Sequence, residues 1–345
     1  MRGRQLTLHH DGGRCSVRMS RTIFAFVLAA TLAAAMVRQE YPVSDDGIPQ
    51  PPGFPAPVYR ITSGTNNAAL AALGERLFED PILSADSTIS CETCHQPFAA
   101  FAHVDHALSH GVEGRIGRRN VPSLQNLAWQ TSFMWDGAIA NLDMQSLSPI
   151  TGHDEMASNL DTLIHKLSTN AAYPRLFREA FGTDTITVPR VLRAVGRFVA
   201  GFVSANARYD RYIAGKDTLA ENELRGLQLF RAHCASCHAE PLFTNNGFAS
   251  NGLRPNAALP DSGRYLVTHN QQDLFRFRVP TLRNITRTHP YMHDGRFKKL
   301  RDVLAHYASP QALDGHADAS VRSIGPLSDV DRKDIIAFLM TLEDQ

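Results

Sequence analysis

Two cysteine pairs carry the clearest chemistry in this sequence. Each pair is separated by two residues and followed at once by a histidine: Cys91, Cys94 and His95, then Cys234, Cys237 and His238. The C-x-x-C-H pattern is the attachment signature of c-type haem, in which both thiols react with the vinyl groups and the histidine ligates the iron. The sequence therefore predicts two covalently attached haem c groups.

A cysteine pair can also form half of a zinc site or a redox-active dithiol. Here both copies carry the histidine in the same place, and the pairs stand much further apart than the about 12–20 residues typical of zinc fingers. The chain has five cysteines, and the fifth, Cys15, precedes the expected mature start. Haem attachment is the interpretation that explains all these features.

The N-terminal residues are typical of a secretory signal. Basic residues precede an apolar stretch from Ile23 to Val37, which ends in small residues and is shorter than the about 20 residues of a membrane span. We predict a signal peptide at 1–37, with Met19 as an alternative start, and a periplasmic protein. A retained single-helix anchor is the alternative.

Charge and hydropathy patterns narrow the class of the mature chain. The 35 basic and 34 acidic residues nearly balance, with no basic block that would suggest nucleic acid and no second long apolar run. A proline-rich segment at 38–57 is predicted to be an extended linker, with disorder as the alternative. We predict two domains beyond it, at 58–214 and 215–345.

A short helical pattern precedes each haem motif. Apolar residues recur at helical spacing in both copies, as Leu70, Leu73 and Leu77, then Leu224, Leu227 and Phe230. Further helices are predicted from Val188 to Ile213 and from Ser328 to Leu342, and no stretch alternates as a strand would. We therefore expect an all-α fold of two cytochrome c-type domains with long connecting loops, each carrying one haem.

The order of the motifs resembles that of the bacterial di-haem cytochrome c peroxidases and the related MauG enzymes. The residues within the motifs are most similar to those of the MbnH-type members. The resemblance covers 58–345 and rests on a series of blocks: SCETCH at 90–95, GRRNVPSL at 117–124, WDG at 135–137, EM at 155–156, VPTLRN at 279–284 and PYMHDG at 290–295. It implies a peroxidatic haem in the first domain and an electron-transfer haem in the second.

Peroxide cleavage needs a group that takes a proton from one oxygen and returns it to the other, and a partly buried carboxylate suits this role. On the residues alone, Glu155 is one of many acids, and an exposed helix-capping glutamate is the alternative. The resemblance implies that Glu155 is the distal acid and base, that Gln145 and Pro149 line the distal pocket, and that Trp135 relays electrons between the haems.

The resemblance also implies one calcium ion between the domains. Its ligands would be Asn120, Thr288 and Pro290, the last two through backbone carbonyls, which are the hard oxygen donors that calcium prefers.

Two departures from the ordinary peroxidases bear on function. Those enzymes commonly hold a histidine against the first haem until the second is reduced, whereas that position here is Val112. His110 lies two residues away and is interpreted as a loop histidine, with movement onto the haem as the alternative. Where they place a methionine at the second haem, this chain has Tyr307, and in MauG-like enzymes a tyrosine ligates there. The alternative is that Tyr307 only packs on its helix and that His306 or no residue ligates. A phenolate favours higher oxidation states than methionine.

We expect a periplasmic enzyme that uses hydrogen peroxide to reach a high-valent di-haem state and then oxidises a secreted partner protein, with tryptophan-to-kynurenine conversion as the specific form that the resemblance implies. The alternative is an ordinary peroxidase supplied with electrons by a small cytochrome c or cupredoxin, and a third class is a simple electron carrier. The sequence leaves open the partner, the modified residue and whether a homodimer forms.

Overall fold

A computed structural model of the chain describes residues 41–43, 47–60 and 67–344. The signal peptide predicted at 1–37 and Cys15 lie outside the described residues. Within the described residues, no helix is both long and apolar enough to cross a membrane.

Helices and loops make up almost all of the described chain, as the sequence predicts. The α-helices are α1 (Asn67–Glu79), α2 (Cys91–Cys94), α3 (Leu142–Gln145), α4 (Leu147–Thr151), α5 (Leu160–Thr169), α6 (Tyr173–Phe181), α7 (Val188–Val199), α8 (Arg208–Ile213), α9 (Glu221–His233), α10 (Tyr265–Thr268), α11 (Leu300–Tyr307), α12 (Ala319–Arg322) and α13 (Asp329–Met340). Short 3-10 helices are Pro81–Leu83, Pro97–Ala99, Val112–Gly114, Leu127–Trp129, Gln271–Asp273 and Pro310–Ala312. Two short strands, β1 (Phe248–Ala249) and β2 (Phe277–Arg278), pair antiparallel.

The internal repeat is visible in how the helices cross. Helix α1, which precedes the first haem motif in the sequence, packs on α7. Helix α9, which precedes the second motif, packs on α13. Each crossing depends on a glycine. A Cβ atom at Gly74 would lie 2.0 Å from the carbonyl oxygen of Ala194, and one at Gly226 would lie 1.9 Å from that of Asp334. Only glycine permits the two helix backbones to approach this closely.

Two hydrophobic cores lie behind the two haem motifs. The first draws mainly on residues from Ile48 to Ala200 and the second on residues from Tyr209 to Leu342. The repeated apolar residues of α1 and α9 are part of these cores or pack against them. Residues from Tyr41 onward nevertheless form one compact unit, and the predicted boundary after residue 214 stays a prediction.

The helix predicted from Val188 to Ile213 is wrong in its middle. Helix α7 ends at Val199 and α8 begins only at Arg208. Between them, the main chain of Ser204 is held by the buried side chain of Asn126, which accepts from Ser204 N–H at 2.9 Å and donates to its carbonyl at 3.1 Å. This long-range contact overrides the local helical pattern. The predicted C-terminal helix is confirmed as α13, capped by Ser328.

The proline-rich segment packs against the first core where the structure describes it. Ile48 is fully buried, and the ring of Phe54 meets that of Trp129 edge to face at 5.5 Å. The indole N–H of Trp129 donates to the carbonyl oxygen of Pro55 at 2.7 Å. These contacts hold the segment on the surface of the first core.

Candidate active site

Helix α2 presents the first cysteine pair. A reciprocal capping box between Ser90 and Thr93 starts the helix, and His95 ends it. The Nδ1 atom of His95 lies 2.8 Å from the carbonyl oxygen of Phe101. Because a carbonyl only accepts, Nδ1 carries the proton and Nε2 keeps the lone pair that an iron ligand needs. Burial lowers the pKa of His95 to about 4, so the ring is neutral.

The second cysteine pair follows the end of α9. The Nδ1 atom of His238 lies 3.1 Å from the carbonyl oxygen of Pro280 and 3.2 Å from that of Phe243. The same argument therefore assigns the same tautomer, and burial lowers the pKa of His238 as well. In the described part of the chain, none of the four cysteines of the two motifs forms a disulfide bond, so their sulfur atoms are available for attachment to haem.

Each motif opens on its own cavity. The first cavity, of about 440 Å³, contains most of the predicted peroxidatic residues in its lining: Cys91, Cys94, His95, Gln145, Pro149 and Glu155. The second, of about 220 Å³, is lined by the second motif and the predicted tyrosine: Cys234, Cys237, His238 and Tyr307. Residues far apart in sequence thus line each cavity together with its histidine.

Glu155 is held in the first cavity by its own backbone. Its carbonyl oxygen accepts from Val112 N–H at 2.8 Å, and its N–H donates to the carbonyl of Gly152 at 3.0 Å. A Cβ atom at Gly111 would lie 2.4 Å from the Glu155 carbonyl oxygen, so the two loops touch closely. Burial raises the pKa of Glu155, and the neighbouring Asp154 raises it further. A carboxyl held this way keeps its proton at a higher pH than a solvent-exposed glutamate does.

Gln145 and Pro149 come from the short helices α3 and α4. The Gln145 amide donates to the sulfur of Met134 at 3.7 Å, and the carbonyl of Pro149 accepts from Met156 N–H at 3.1 Å. Both residues therefore belong to the same wall as Glu155, one residue before Met156. The wall presents an amide, a proline ring and a carboxyl to the first cavity.

Trp135 lines both cavities. Its indole N–H donates to the carbonyl oxygen of Asn120 at 2.8 Å, and its own carbonyl accepts from Arg278 N–H at 2.7 Å. The next residue, Asp136, binds Arg119 at 2.6 Å. A tryptophan whose indole N–H and main chain are both held by hydrogen bonds in a shared wall is suited to carry an electron between two redox groups.

Tyr307 and not His306 lines the second cavity. Both end helix α11, but successive helical residues point in different directions. The Nε2 atom of His306 lies 3.0 Å from the carbonyl oxygen of Asn251, outside the cavity lining. Burial raises the pKa of Tyr307 to about 12, while a hydrogen bond with the Asn251 side chain acts in the opposite direction.

Comparisons with known proteins agree with this geometry. A family model described as di-haem cytochrome c peroxidase matches residues 68–218, and one described as cytochrome c matches 224–343. The methylamine utilization protein MauG of Methylophilus methylotrophus is 33% identical over 301 residues, covering 85% of this chain and 87% of that protein. The chain belongs to the di-haem cytochrome c peroxidase and MauG family.

Two further di-haem proteins are similar to this chain. The cytochrome c551 peroxidase of Nitrosomonas europaea is 31% identical and covers 80% of this chain and 81% of that protein. The crystal structure of a MauG-like protein associated with microbial copper homeostasis is 29% identical, with a TM-score of 0.76 over 86% of this chain and 95% of that chain. As a member of the family, the chain is an oxidoreductase of the peroxidase type with two haem c groups.

The residues present fit these two haem groups. Each motif supplies two thiols and a neutral histidine whose Nε2 is left for iron, and each opens on a cavity. Cys91 and Cys94 with His95 would hold the first haem, and Cys234 and Cys237 with His238 the second. Haem c supplies the redox-active iron when bound.

The predicted calcium ligands Asn120, Thr288 and Pro290 all line the second cavity. The Asn120 side chain donates to the carbonyl of Ala107 at 3.0 Å, and its backbone carbonyl already accepts from Trp135. In the described residues there is no group of three or more His, Cys, Asp or Glu side chains that could hold a metal. The calcium assignment stays a prediction.

His110 lines the first cavity, whereas Val112 is buried and does not. The carbonyl of His110 lies 3.6 Å from the sulfur of Cys94, and its ring lies 4.5 Å from that of His106. A loop histidine therefore stands beside the first motif, and whether it ligates iron stays open to test.

Sequence reasoning missed two residues around the cavities. Arg278 lines both, and Asn251 lies between His306, Tyr307 and the sulfur of Met292, to which it donates at 3.3 Å. Arg278 stands directly before the VPTLRN block and could have been noticed there as a charge next to a buried segment. Asn251 lies in a loop without any local signal.

Proposed function

We propose that this protein reacts with hydrogen peroxide at the first haem and uses the resulting oxidising equivalents on a residue of a secreted partner protein, as MauG-like enzymes do. The observation that carries the proposal is the position of Tyr307 in the lining of the second cavity, together with His238. A phenolate ligand favours oxidised iron, so the second haem would store an oxidising equivalent and not accept low-energy electrons.

Within this proposal the predicted residues of both cavities have roles. His95 would ligate the iron of the first haem, and His238 and Tyr307 would ligate that of the second. Glu155 takes a proton from the inner oxygen of peroxide and returns it to the leaving oxygen, while Gln145 and Pro149 shape the pocket. The support is that Glu155 lines the same cavity as His95 and that burial raises its pKa.

Trp135 is the proposed electron relay between the two haems. It lines both cavities, and both ends of the residue are fixed by hydrogen bonds. Sharing of the oxidising equivalents over two haems would keep them away from solvent until a partner docks. The finer proposal for the partner reaction is tryptophan oxidation to kynurenine, supported by the likeness to the MauG-like protein associated with copper homeostasis.

An ordinary peroxidase role is the second candidate. His110 lies at the first cavity, where it could act as a removable ligand, and the Nitrosomonas europaea relative is named as a cytochrome c551 peroxidase. Electrons would then come from a small cytochrome c or cupredoxin. In this case the first haem would react only after the second is reduced.

One experiment separates the two candidates. The fully ferric protein is mixed with hydrogen peroxide in a stopped-flow spectrometer, without any reductant. A long-lived species oxidised by two electrons supports the MauG-like proposal, and no reaction until one haem is reduced supports the ordinary peroxidase. A His110→Gln variant is the matched control. It removes the histidine that could block the first haem and leaves the lining of the second cavity unchanged.

Location, calcium and assembly are proposed with the function. We place the mature protein in the periplasm after cleavage of the predicted signal peptide at 1–37, which the mass of the secreted protein would test. One calcium ion at Asn120, Thr288 and Pro290 would be tested by metal analysis before and after chelation. A homodimer would be tested by light scattering of the holoprotein.

A further inference from the structure

Arg278 is a buried cation with no carboxylate partner among the described residues. Only 4% of the residue is exposed, and its Nη1 atom has no hydrogen-bond partner among the described residues. The side chain makes one long contact, from Nε to the carbonyl of Met134 at 3.3 Å. Burial lowers the pKa of Arg278 to about 10, and no charged neighbour opposes this effect.

The other two buried arginines of the described residues have oxygen acceptors for their side chains. Arg283, with a side chain that is fully buried, forms a two-point ion pair with Asp210 at 2.8 and 2.7 Å. Arg197 donates to the side-chain oxygen of Asn67 at 2.9 Å and to the carbonyl of Gly47 at 3.0 Å. A buried charge with no partner is strongly unfavourable. Among the described residues Arg278 has no carboxylate beside it and, unlike Arg197, leaves a buried donor atom without any acceptor. This combination indicates that a bound anion supplies the missing acceptor.

The position of Arg278 indicates which group this is. Among the described residues, Arg278 is the sole charged side chain that lines both haem cavities. Its backbone N–H is bound to the carbonyl of Trp135, so it occupies the wall between the two sites. Every haem c carries two propionate carboxylates, and a guanidinium has enough donors in a fixed plane to bind two carboxylates at once.

We propose that Arg278 binds a propionate of each haem and is the shared counter-charge of the two sites. The inference rests on the haem sites assigned above to the two C-x-x-C-H motifs. Because Arg278 also holds the backbone of Met134 and Trp135, propionate binding would fix the segment that carries the proposed relay residue. Arg278 is then a positioning residue, because it would contact both haems and also hold the main chain of Trp135 in place.

The test uses the holoprotein with Arg278→Met and Arg278→Lys, and Arg276→Met as the control. Arg276 precedes the same strand but pairs with Asp318 at 2.7 Å and lines neither cavity. Haem content is measured by the pyridine haemochrome assay, and the midpoint potentials of both haems by redox titration across a range of pH. None of these readouts depends on turnover.

We expect two haems per chain in the wild type and a fall of both midpoint potentials in Arg278→Met, because loss of a nearby cation stabilises ferric iron. Both potentials should also gain a pH dependence, since a propionate without its cation has a raised pKa. Lysine cannot span two carboxylates, so Arg278→Lys should lower the potential of one haem and leave the other unchanged. Arg276→Met should match the wild type.

Several results would overturn the inference. Unchanged potentials in Arg278→Met, or a change at one haem alone, would refute a shared counter-charge. If wild-type potentials depend on chloride or phosphate concentration and this dependence disappears in Arg278→Met, the anion is a small ion and not a propionate. If the Arg278→Met protein does not accumulate, Arg278→Lys provides the test. Midpoint potentials equal to those of the wild type at both of its haems would also refute the shared counter-charge. Fewer than two haems in the wild type would instead overturn the haem assignment on which the inference rests.

Discussion

The role of Glu155 gives the sharpest prediction. Replacing Glu155 by glutamine keeps the shape of the side chain but removes its ability to take up a proton. General acid–base catalysis contributes about 10²–10⁴-fold in rate, which corresponds to about 3–5 kcal/mol of barrier. The size of the rate loss within this range depends on whether another acid in the first cavity can take over the proton transfer.

The structure argues against a substitute. The other carboxylates that line the first cavity are all engaged with basic partners: Asp154 with His153, and Asp136 and Asp261 with Arg119. We therefore expect Glu155→Gln to slow the reaction with peroxide by about 10³-fold or more, in the upper half of the general range.

The assay is stopped-flow absorption of the ferric protein with excess hydrogen peroxide, at several pH values. In the wild type the rate should fall as the pH drops through the pKa of Glu155, since only the carboxylate can take the proton. Burial and Asp154 raise this pKa above its ordinary value of 4.5, so the fall begins at higher pH than for a solvent-exposed glutamate. The variant should lose this pH-dependent limb.

Asp154→Asn is the matched control, because it removes the adjacent and partly exposed carboxylate and should change the rate by only about threefold. Stability provides a second control. A buried carboxyl with a raised pKa costs stability at neutral pH, where it must be charged. Glu155→Gln should therefore unfold at the same temperature as the wild type or higher. A wild-type rate in a well-folded Glu155→Gln protein would refute the proton-transfer role.

Three further predictions follow from particular contacts. Tyr307→Met should change the absorption spectrum of the second haem and raise its midpoint potential, because methionine favours ferrous iron, and an unchanged spectrum would remove Tyr307 as a ligand. Gly111→Ala should displace the Glu155 segment and slow the peroxide reaction about tenfold or more at an unchanged haem content, whereas wild-type kinetics would show that the loop adapts. Gly226→Ala should lower the free energy of unfolding in urea by about 3 kcal/mol, because its Cβ would lie 1.9 Å from a carbonyl oxygen of α13. Gly315→Ala is the control: a Cβ atom there would have no atom within 4 Å, so the free energy of unfolding should hardly change.

Local patterns were sufficient for the haem count and the fold class. The C-x-x-C-H motifs are contiguous in sequence, so their chemistry is readable without a fold, and the helices that pack behind them follow from apolar spacing. Ser328 predicts the start of α13 because capping is a local interaction. The motif order and its resemblance to a known family then placed Glu155, Trp135 and Tyr307 in candidate roles.

The remaining features depend on contacts between distant parts of the chain. The helix predicted from Val188 to Ile213 is interrupted because Asn126, far away in sequence, binds the main chain of Ser204. Sequence alone left Tyr307 and His306 as alternatives, and the packing of α11 decided that Tyr307 lines the cavity.

Arg278 shows most clearly the difference between what the sequence determines and what the tertiary structure decides. In the sequence it is one arginine among many, since a charge by itself does not reveal what surrounds it. Only the tertiary structure buries it in the lining of two cavities, where no carboxylate of the described part of the chain pairs with it, because burial and pairing are properties of the folded environment. The sequence thus determined which groups are attached to the protein, and the fold decided which side chains face them.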